Sequence, residues 1–569
     1  MNTIKTVCLA IAMAAATENV MAGGLLTNTN QNIAFLRNPA RDGAIGIDGV
    51  YSNPAGVAFM PQGLHLSLNI QNAHQTRTVT STFAPFAFGA NNNGNSTKEF
   101  KGKADAPVIP SIQAAYNHND WSFQFNFAIT GGGGKCVFDN GLGSLESHMA
   151  LLPLISQNLD NVMGVIGQKY PELGIGAMGL PSVTSYKMDT YMRGRQYYYG
   201  FTLGAARKLN EHWSIYGGVR LLYGTSNYYG YISNIQVKMQ GQEGQSQFVS
   251  AKETFRGQAA VANQKVGELK QAATEAAAAG NVELAQKYAE AAKSATVKAT
   301  MLGALGSATE DVTLNCNQTG WGVAPILGVD FKTGNFNFAA KYEFKTRMEL
   351  KNEAANSESA ADIELLDRWR DGDTVDEDSP ALLTLGAQWN LLPDFRINAG
   401  YHHYFDKDAK AALGHQKKLG GDTNEYLFGA EYDITKAVQV SAGGQFTRYN
   451  FTDDYMEDLS FNVSSFSFGI GVGIKLSEKM KLNLAYFQTN YQNYDRENNN
   501  YYNLSGMAGN IVGGVVGNLG ADANTTAGIV ETTRQLLTTP GKDGKSMLNG
   551  ADSFTRTNRV IGIGLDINI

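Results

Sequence analysis

The chain has 569 residues, with 46 Lys and Arg against 52 Asp and Glu and a formal net charge of −6. Charged residues make up only 17%, against roughly 25% in soluble domains, whereas Gly reaches 63, Tyr 26 and Phe 27. The slightly negative mean hydropathy excludes a bundle of membrane helices, and mild acidity without a basic patch or a Cys/His cluster argues against a nucleic-acid binder.

The first 22 residues read as a secretory signal. Met1 to Lys5 is a short basic start, Thr6 to Thr17 an Ala-rich apolar stretch, and Val20-Met21-Ala22 a small-residue cleavage pattern with Gly23 as the mature start. The apolar run is too short to span a bilayer. The mature chain keeps two cysteines, Cys136 and Cys316. Both fall on the extracellular side of the strand map below, so one disulfide or two free thiols are the alternatives.

Beyond the signal no stretch reaches about 18 uninterrupted apolar residues, so no membrane helix is expected. Alternation of period two recurs instead. Trp121, Phe123, Phe125, Phe127 and Ile129 face away from Ser122, Gln124, Asn126, Ala128 and Thr130. Phe466 to Ile474 and Ile561 to Ile569 repeat the pattern with Gly, Ser, Asp and Asn on the second face. Strands this long, greasy on one side and small or polar on the other, predict an all-β transmembrane barrel. Fourteen are predicted, near 64–80, 108–118, 121–131, 187–209, 212–240, 311–332, 335–351, 380–390, 394–406, 424–434, 437–450, 463–476, 479–494 and 553–569. Short turns and long loops alternate strictly between them, the long ones near 81–107, 132–186, 241–310, 352–379, 407–423, 451–462 and 495–552, as in outer-membrane barrels with short periplasmic turns. Residues 62–569 thus form the barrel.

Residues 23–61 precede the first strand yet hold Leu25, Leu26, Ile33, Phe35, Leu36, Ile45, Ile47, Val57 and Phe59, which need burial. A 14-stranded barrel leaves a lumen its own side chains cannot fill. A compact N-terminal hatch in that lumen satisfies both. The segment Gly43-Ala44-Ile45-Gly46 with Tyr51-Ser52-Asn53-Pro54-Ala55-Gly56 resembles the hatch of the FadL family of long-chain fatty acid transporters. Asn317 to Gly322 opening the sixth strand and Tyr342 to Arg347 in the seventh are similar to that family too.

The resemblance implies passive uptake of hydrophobic compounds across the outer membrane of a monomer, with no cofactor. Ligand docks on loops after the fifth and seventh strands, passes to an apolar luminal pocket reached by Gly23, Gly24, Leu25 and Leu26, and leaves sideways at a kink in the third strand. By position Asn53, Pro54 and Ala55 would face that opening. The third strand carries Asn126 on its polar face but no Gly until the run Gly131, Gly132, Gly133, Gly134, towards which the opening would be displaced.

The loops support a greasy cargo. The second long loop carries Leu154, Ile155, Val162 and many other apolar residues, and the last carries Met507 to Leu519 among glycines. Such surface packs as a lid or meets an apolar ligand. The third loop, near 255–302, reads as a helical hairpin split at Gly280-Asn281. Arg220, Lys341 and Lys345 sit on polar faces, where they could pair with a ligand carboxylate or hold the hatch; Phe35 belongs to the hatch's apolar set. Gly544-Lys545-Ser546 lacks the earlier Gly of a phosphate loop. His402 and His403 point to opposite faces, and Asp371, Asp373, Asp376, Glu377 and Asp378 suit a solvated loop better than Ca²⁺. The partners implied are fatty-acid-like molecules, outer-membrane lipid and lipopolysaccharide. The alternatives are an adhesin or structural barrel, a barrel for haem or aromatic hydrocarbons, or a barrel enzyme, for which no nucleophile–base set is visible.

Overall fold

The computed structural model describes residues 25–173, 175–176, 179–180, 182–240, 247–357 and 368–569. The expected signal, Gly23 and Gly24 lie outside the described residues. Fourteen strands follow one another in chain order: β1 (Gly63–Phe83), β2 (Thr97–His118), β3 (Trp121–Phe138), β4 (Val183–Lys208), β5 (Trp213–Met239), β6 (Val312–Thr333), β7 (Phe336–Glu343, resumed as Glu349–Ala354), β8 (Leu382–Leu392), β9 (Phe395–Tyr404), β10 (Gly421–Asp433), β11 (Val438–Asn450), β12 (Ser465–Ser477), β13 (Met480–Tyr491) and β14 (Gly550–Asn568). Each pairs antiparallel with its neighbours, and β1 closes the cylinder on β14 from His65↔Asn568 to Phe83↔Gly550. Closure leaves no edge strand to expose unpaired backbone to lipid.

Every predicted strand is present, and the main difference is length. β2 starts at Thr97 rather than 108, carried through Pro107 and Pro110. Those prolines fall where β2 has no partner on β3, so no ladder bond is forfeited on that side.

The outward face carries the apolar half of each alternation: Leu68, Ile70, Phe123, Leu203, Val219, Leu221, Val323, Phe338, Ile561 and Ile563 are exposed. Aromatic rings bound this band. Near the short turns Trp213 packs on Phe331 and Phe336 on Trp389; higher up Tyr199, Tyr223 and Trp321 form a second row. From Trp213 to Tyr223 on β5 is ten residues, about 33 Å of strand, or about 25 Å along the membrane normal at a tilt near 40°. That is the height of a lipid-facing apolar band, so the two aromatic rows mark the two interfaces. Among the described residues no helix is long and apolar enough to cross a membrane.

Inside stands the hatch, residues 25–62, with the short helix α1 (Ile33–Arg37) and two 3₁₀ turns, Ile47–Val50 and Gly56–Phe59. Inward-facing glycines make room for it. A Cβ at Gly469 would strike the Leu36 carbonyl, one at Gly386 the backbone of Asp42 and Gly43, and one at Gly562 the Ile33 side chain. The small faces of β8, β12 and β14 are therefore docking surfaces for the hatch.

Above the barrel the long loops build a helical lid: α2 (Gly143–Lys169), α3 (Ala251–Ala278), α4 (Val282–Ala308), α5 (Leu504–Asn518) and α6 (Ala523–Thr538). The expected hairpin split is in place. Gly280 takes a positive φ of 77°, and the Asn281 side chain caps α4 by accepting from Leu284 N. The hairpin's base is buried through Phe255, Val297, Met301 and Leu305, while Val261, Val282 and Leu284 are exposed. Leu145, Met149, Leu151, Ile155, Val162, Met163 and Ile166 of α2 join Met507, Ile511, Val512, Val515 and Val516 of α5 in one core with Phe83, Phe86, Phe100 and Phe138 of the upper barrel.

Candidate functional site

Two belts of polar contacts fix the hatch. At the turn end of the lumen Arg41 bonds Asp48 at 2.7 Å and Glu431 of β10 at 2.8 Å. Arg37 Nη2 donates to Gln439 at 3.0 Å and lies 4.0 Å from Glu431, whose other oxygen is 3.5 Å from Arg396. These groups border a cavity of about 880 Å³ that also reaches Lys481 and Asp566. Around the hatch middle, Asp42 Oδ2 lies 3.0 Å from His402 Nε2, whose Nδ1 is 2.9 Å from Glu425. Tyr404 and Thr447 donate to the same Glu425 at 2.8 Å. Buried charges of both signs interleave, so no luminal ion in this set is left without a counter-charge.

Among the described residues the ladder lapses at the break in β7, where Phe344 to Leu350 face Gly320 to Pro325, and at a seam between β2 and β3. β2 and β3 pair from Ser111↔Ala128 down to His118↔Trp121, and again at Ala104↔Cys136 and Lys103↔Val137, with no ladder between. Asp105 to Pro110 therefore face Ile129 to Lys135 unpaired. The cause lies in β3: from Ile129↔Tyr199 to Gly134↔Gln196, five residue steps on β3 oppose three on β4. The surplus is taken up by Gly132 at φ 90° and Gly134 at φ 68°, left-handed conformations that a side chain would strain.

The hatch's leading segment occupies the freed edge. Thr27 bridges Gly131, Asn28 N donates to Thr130 O at 2.8 Å, and Gly132 N donates to Leu26 O at 3.1 Å. The Asn28 side chain adds a bond to Gly132 O at 3.3 Å. Apolar clusters flank this crossing. Leu25 packs with Val79, Tyr449, Phe461 and Phe554 on one side, and Leu26 with Tyr198, Leu222, Met348 and Leu350 on the other. Beside the seam, Phe35, Ile33 and Leu36 of α1 meet Ala106 and Ile109 of β2, with Ile129 of β3 against them.

Not every expected site residue joins this seam. Asn53, Pro54 and Ala55 do not face it. Asn53 Nδ2 donates to Asp330 of β6 at 2.6 Å, the Pro54 carbonyl accepts from Gln124 at 2.7 Å and that of Ala55 from Ser214 at 2.7 Å. These partners lie near the short turns, Gln124 seven residues below Gly131 on β3, because the motif ends in a 3₁₀ turn that leads straight into β1. Asn126 is luminal and holds the hatch through Gln31 at 2.9 Å. Arg220 pairs with Glu343, Lys341 bonds Glu343 at 2.7 Å and donates to the Tyr51 carbonyl at 2.7 Å, and Tyr51's ring lies under Lys341. Both cations thus brace the hatch. Lys345 is not luminal: it follows the break in β7 and reaches Asp408 O at 2.8 Å and Asp378 at 3.6 Å among the outer loops. Leu154, Ile155 and Val162 belong to α2 in the lid.

The expected option of a Cys136–Cys316 disulfide is corrected: both thiols are free and buried. They share a ladder row, Cys136↔Gly194↔Tyr228↔Cys316, and so stand three strand spacings or about 14 Å apart. A disulfide needs Cα atoms within about 7 Å.

Sequence reasoning missed two buried arginines. Arg77 of β1 and Arg556 of β14 are direct cross-strand neighbours, facing the lumen next to the Leu25 cluster. Arg77 donates to Leu459 O at 3.3 Å and Arg556 to Phe461 O at 3.0 Å. Their place on the luminal face was readable from period two; their adjacency was not.

A closed 14-strand cylinder with a lipid-facing band, a docked N-terminal hatch and a helical lid defines a plugged transmembrane β-barrel of the outer-membrane type. No protein-family model and no curated protein matches the chain. Among solved structures it is similar to a FadL homologue of Pseudomonas aeruginosa, at 9% identity and a TM-score of 0.52, over 98% of this chain and 99% of that one. It is also similar to the P. putida toluene transporter TodX, at 12% identity and a TM-score of 0.46, over 99% of each chain. The barrel fold of that FadL homologue is thus shared along essentially the whole length.

Proposed function

We propose that this barrel takes up hydrophobic small molecules passively as a monomer and releases them sideways through the β2–β3 seam into the membrane. The observation that carries this reading is the seam: an unpaired stretch of wall that starts level with Tyr199 in the outer aromatic row, backed by Phe35, Ile109 and Ile129, and latched by Leu26 to Asn28. A straight axial route is obstructed by the hatch and its ion pairs, which would also force a greasy cargo past buried charges. Separate apolar clusters fill the lid and surround Leu25 and Leu26 beside the seam. Long-chain fatty acids and monoaromatic hydrocarbons are both within the class.

The test follows from the register. Deleting Gly132 and Gly133 removes the two surplus residues, keeps every side chain on its face and lets β3 run straight against β4. Uptake of radiolabelled palmitate and of toluene by cells expressing the deletion should fall to the level of cells lacking the barrel, while the protein still shows the heat-shifted gel migration of a folded barrel. Undiminished uptake of both by a folded deletion variant would refute sideways release.

A further inference from the structure

Outward-facing cations gather on one sector of the wall, over the seam. Lys101 and Lys103 of β2 and Lys135 of β3 are exposed on alternate positions that point away from the buried Gly102, Ala104 and Cys136, and Arg193 and Arg195 of β4 share that face. Pairing sets them in two rows. Lys103, Val137, Arg193 and Tyr229 form the upper one; Lys135, Arg195 and Asn227 form the lower. Lys135 and Arg195 are direct cross-strand neighbours, a juxtaposition of like charges that disfavours the sheet unless an anion sits between them. Among the described residues none of the five forms an ion pair; Arg193 bonds the Asn227 amide at 2.8 Å and lies over Tyr229. The nearby Asp105 is engaged by His74.

Depth narrows the partner. Tyr199 and Tyr223, paired across β4 and β5, belong to the outer aromatic row. Arg195 is four residues beyond Tyr199, about 13 Å of strand and about 10 Å along the normal, and long basic side chains lean back towards an interface. At the same level β5 and β6 present Thr225, Asn227, Asn317 and Thr319, which carry no charge. The five cations of β2 to β4 thus end at β5, span two strand spacings (about 10 Å) and stand at headgroup height. A single carboxylate would need one of them.

We propose that this sector binds the phosphorylated headgroup of the outer-leaflet glycolipid, a bisphosphorylated lipid A moiety, whose acyl chains then lie along the wall at the mouth of the seam. The inference is independent of what the lumen carries. The experiment is native mass spectrometry of the purified full-length barrel titrated with bisphosphorylated lipid A, comparing wild type with the triple variant Lys103→Gln/Lys135→Gln/Arg195→Gln and with Arg448→Gln, an exposed cation on β11 away from the sector. Three surface charges lost should weaken binding roughly a hundredfold. Arg448→Gln and the charge-keeping Lys103→Arg/Lys135→Arg should bind as wild type. Dephosphorylated lipid A should bind wild type and triple variant alike, and neither palmitate nor millimolar inorganic phosphate should displace the bisphosphorylated form. Binding of the triple variant within twofold of wild type overturns the proposal, as does displacement by palmitate or by free phosphate. Should the triple variant not fold, Lys135→Gln alone carries the test, with roughly fivefold weaker binding expected and none refuting it.

Discussion

Three hatch and wall cations, Arg37, Arg41 and Arg396, converge on Glu431, so Glu431→Gln should loosen the hatch. The substitution keeps the shape and removes the charge 2.8 Å from Arg41, 3.5 Å from Arg396 and 4.0 Å from Arg37. Breaking a buried pair costs about 3–5 kcal/mol. Here Asp48 still holds Arg41 and Asp433 still holds Arg396 at 2.8 Å, and the adjoining 880 Å³ cavity admits water. A cost of about 2–3 kcal/mol is therefore expected, which raises the undocked fraction of the hatch roughly a hundredfold. Planar-bilayer recording reads this directly, since an undocked hatch opens a water path through the lumen. Wild type should be nearly silent, Glu431→Gln should show frequent ion-conducting openings, and the added change Arg37→Gln should quieten it by restoring the charge balance. Openings as rare in Glu431→Gln as in wild type would refute the assignment of these ion pairs to hatch retention.

Gly469→Val should act on the same hatch by sterics. Its Cβ would meet the Leu36 carbonyl, so α1 is displaced and the midpoint of hatch unfolding in urea falls, whereas Gly217→Val, with open space around it, should not move it. The lid should respond to pH through Asp458, which caps α2 by accepting from Ser144 N at 2.7 Å and Ser144 Oγ at 2.9 Å. Burial and the nearby Asp552 raise its carboxyl from 3.8 to about 6. The stabilising contribution is thus present below pH 4 and lost as pH climbs through 6, so hydrogen exchange of α2 amides should quicken across that window in wild type and show no such step in Asp458→Asn. Cys136 and Cys316 should stay unreactive to a thiol reagent in the folded, unreduced barrel and both react after denaturation without reductant; a bonded pair would give no thiol at all.

Period two is a local property, and what it encodes was legible. Which residues form strands, which side chains of Phe123 or Ile563 meet lipid, and that fourteen strands leave a lumen for the apolar segment around Phe35 follow from the chain alone, because a strand's two faces are set by neighbours in sequence. The cap at Asn281 was legible for the same reason. Contacts between distant strands were not. Cys136 and Cys316 look bondable until the ladder sets two strands between them, Arg77 and Arg556 become neighbours only when β1 closes on β14, and Lys345 leaves the lumen only because β7 breaks before it. Gly131 to Gly134 were visible as a run. That they make a seam depends on a two-residue surplus over β4 and on the loss of pairing with β2. Register, closure and the seat of the hatch are long-range choices, fixed by how whole strands fit together rather than by any window of sequence.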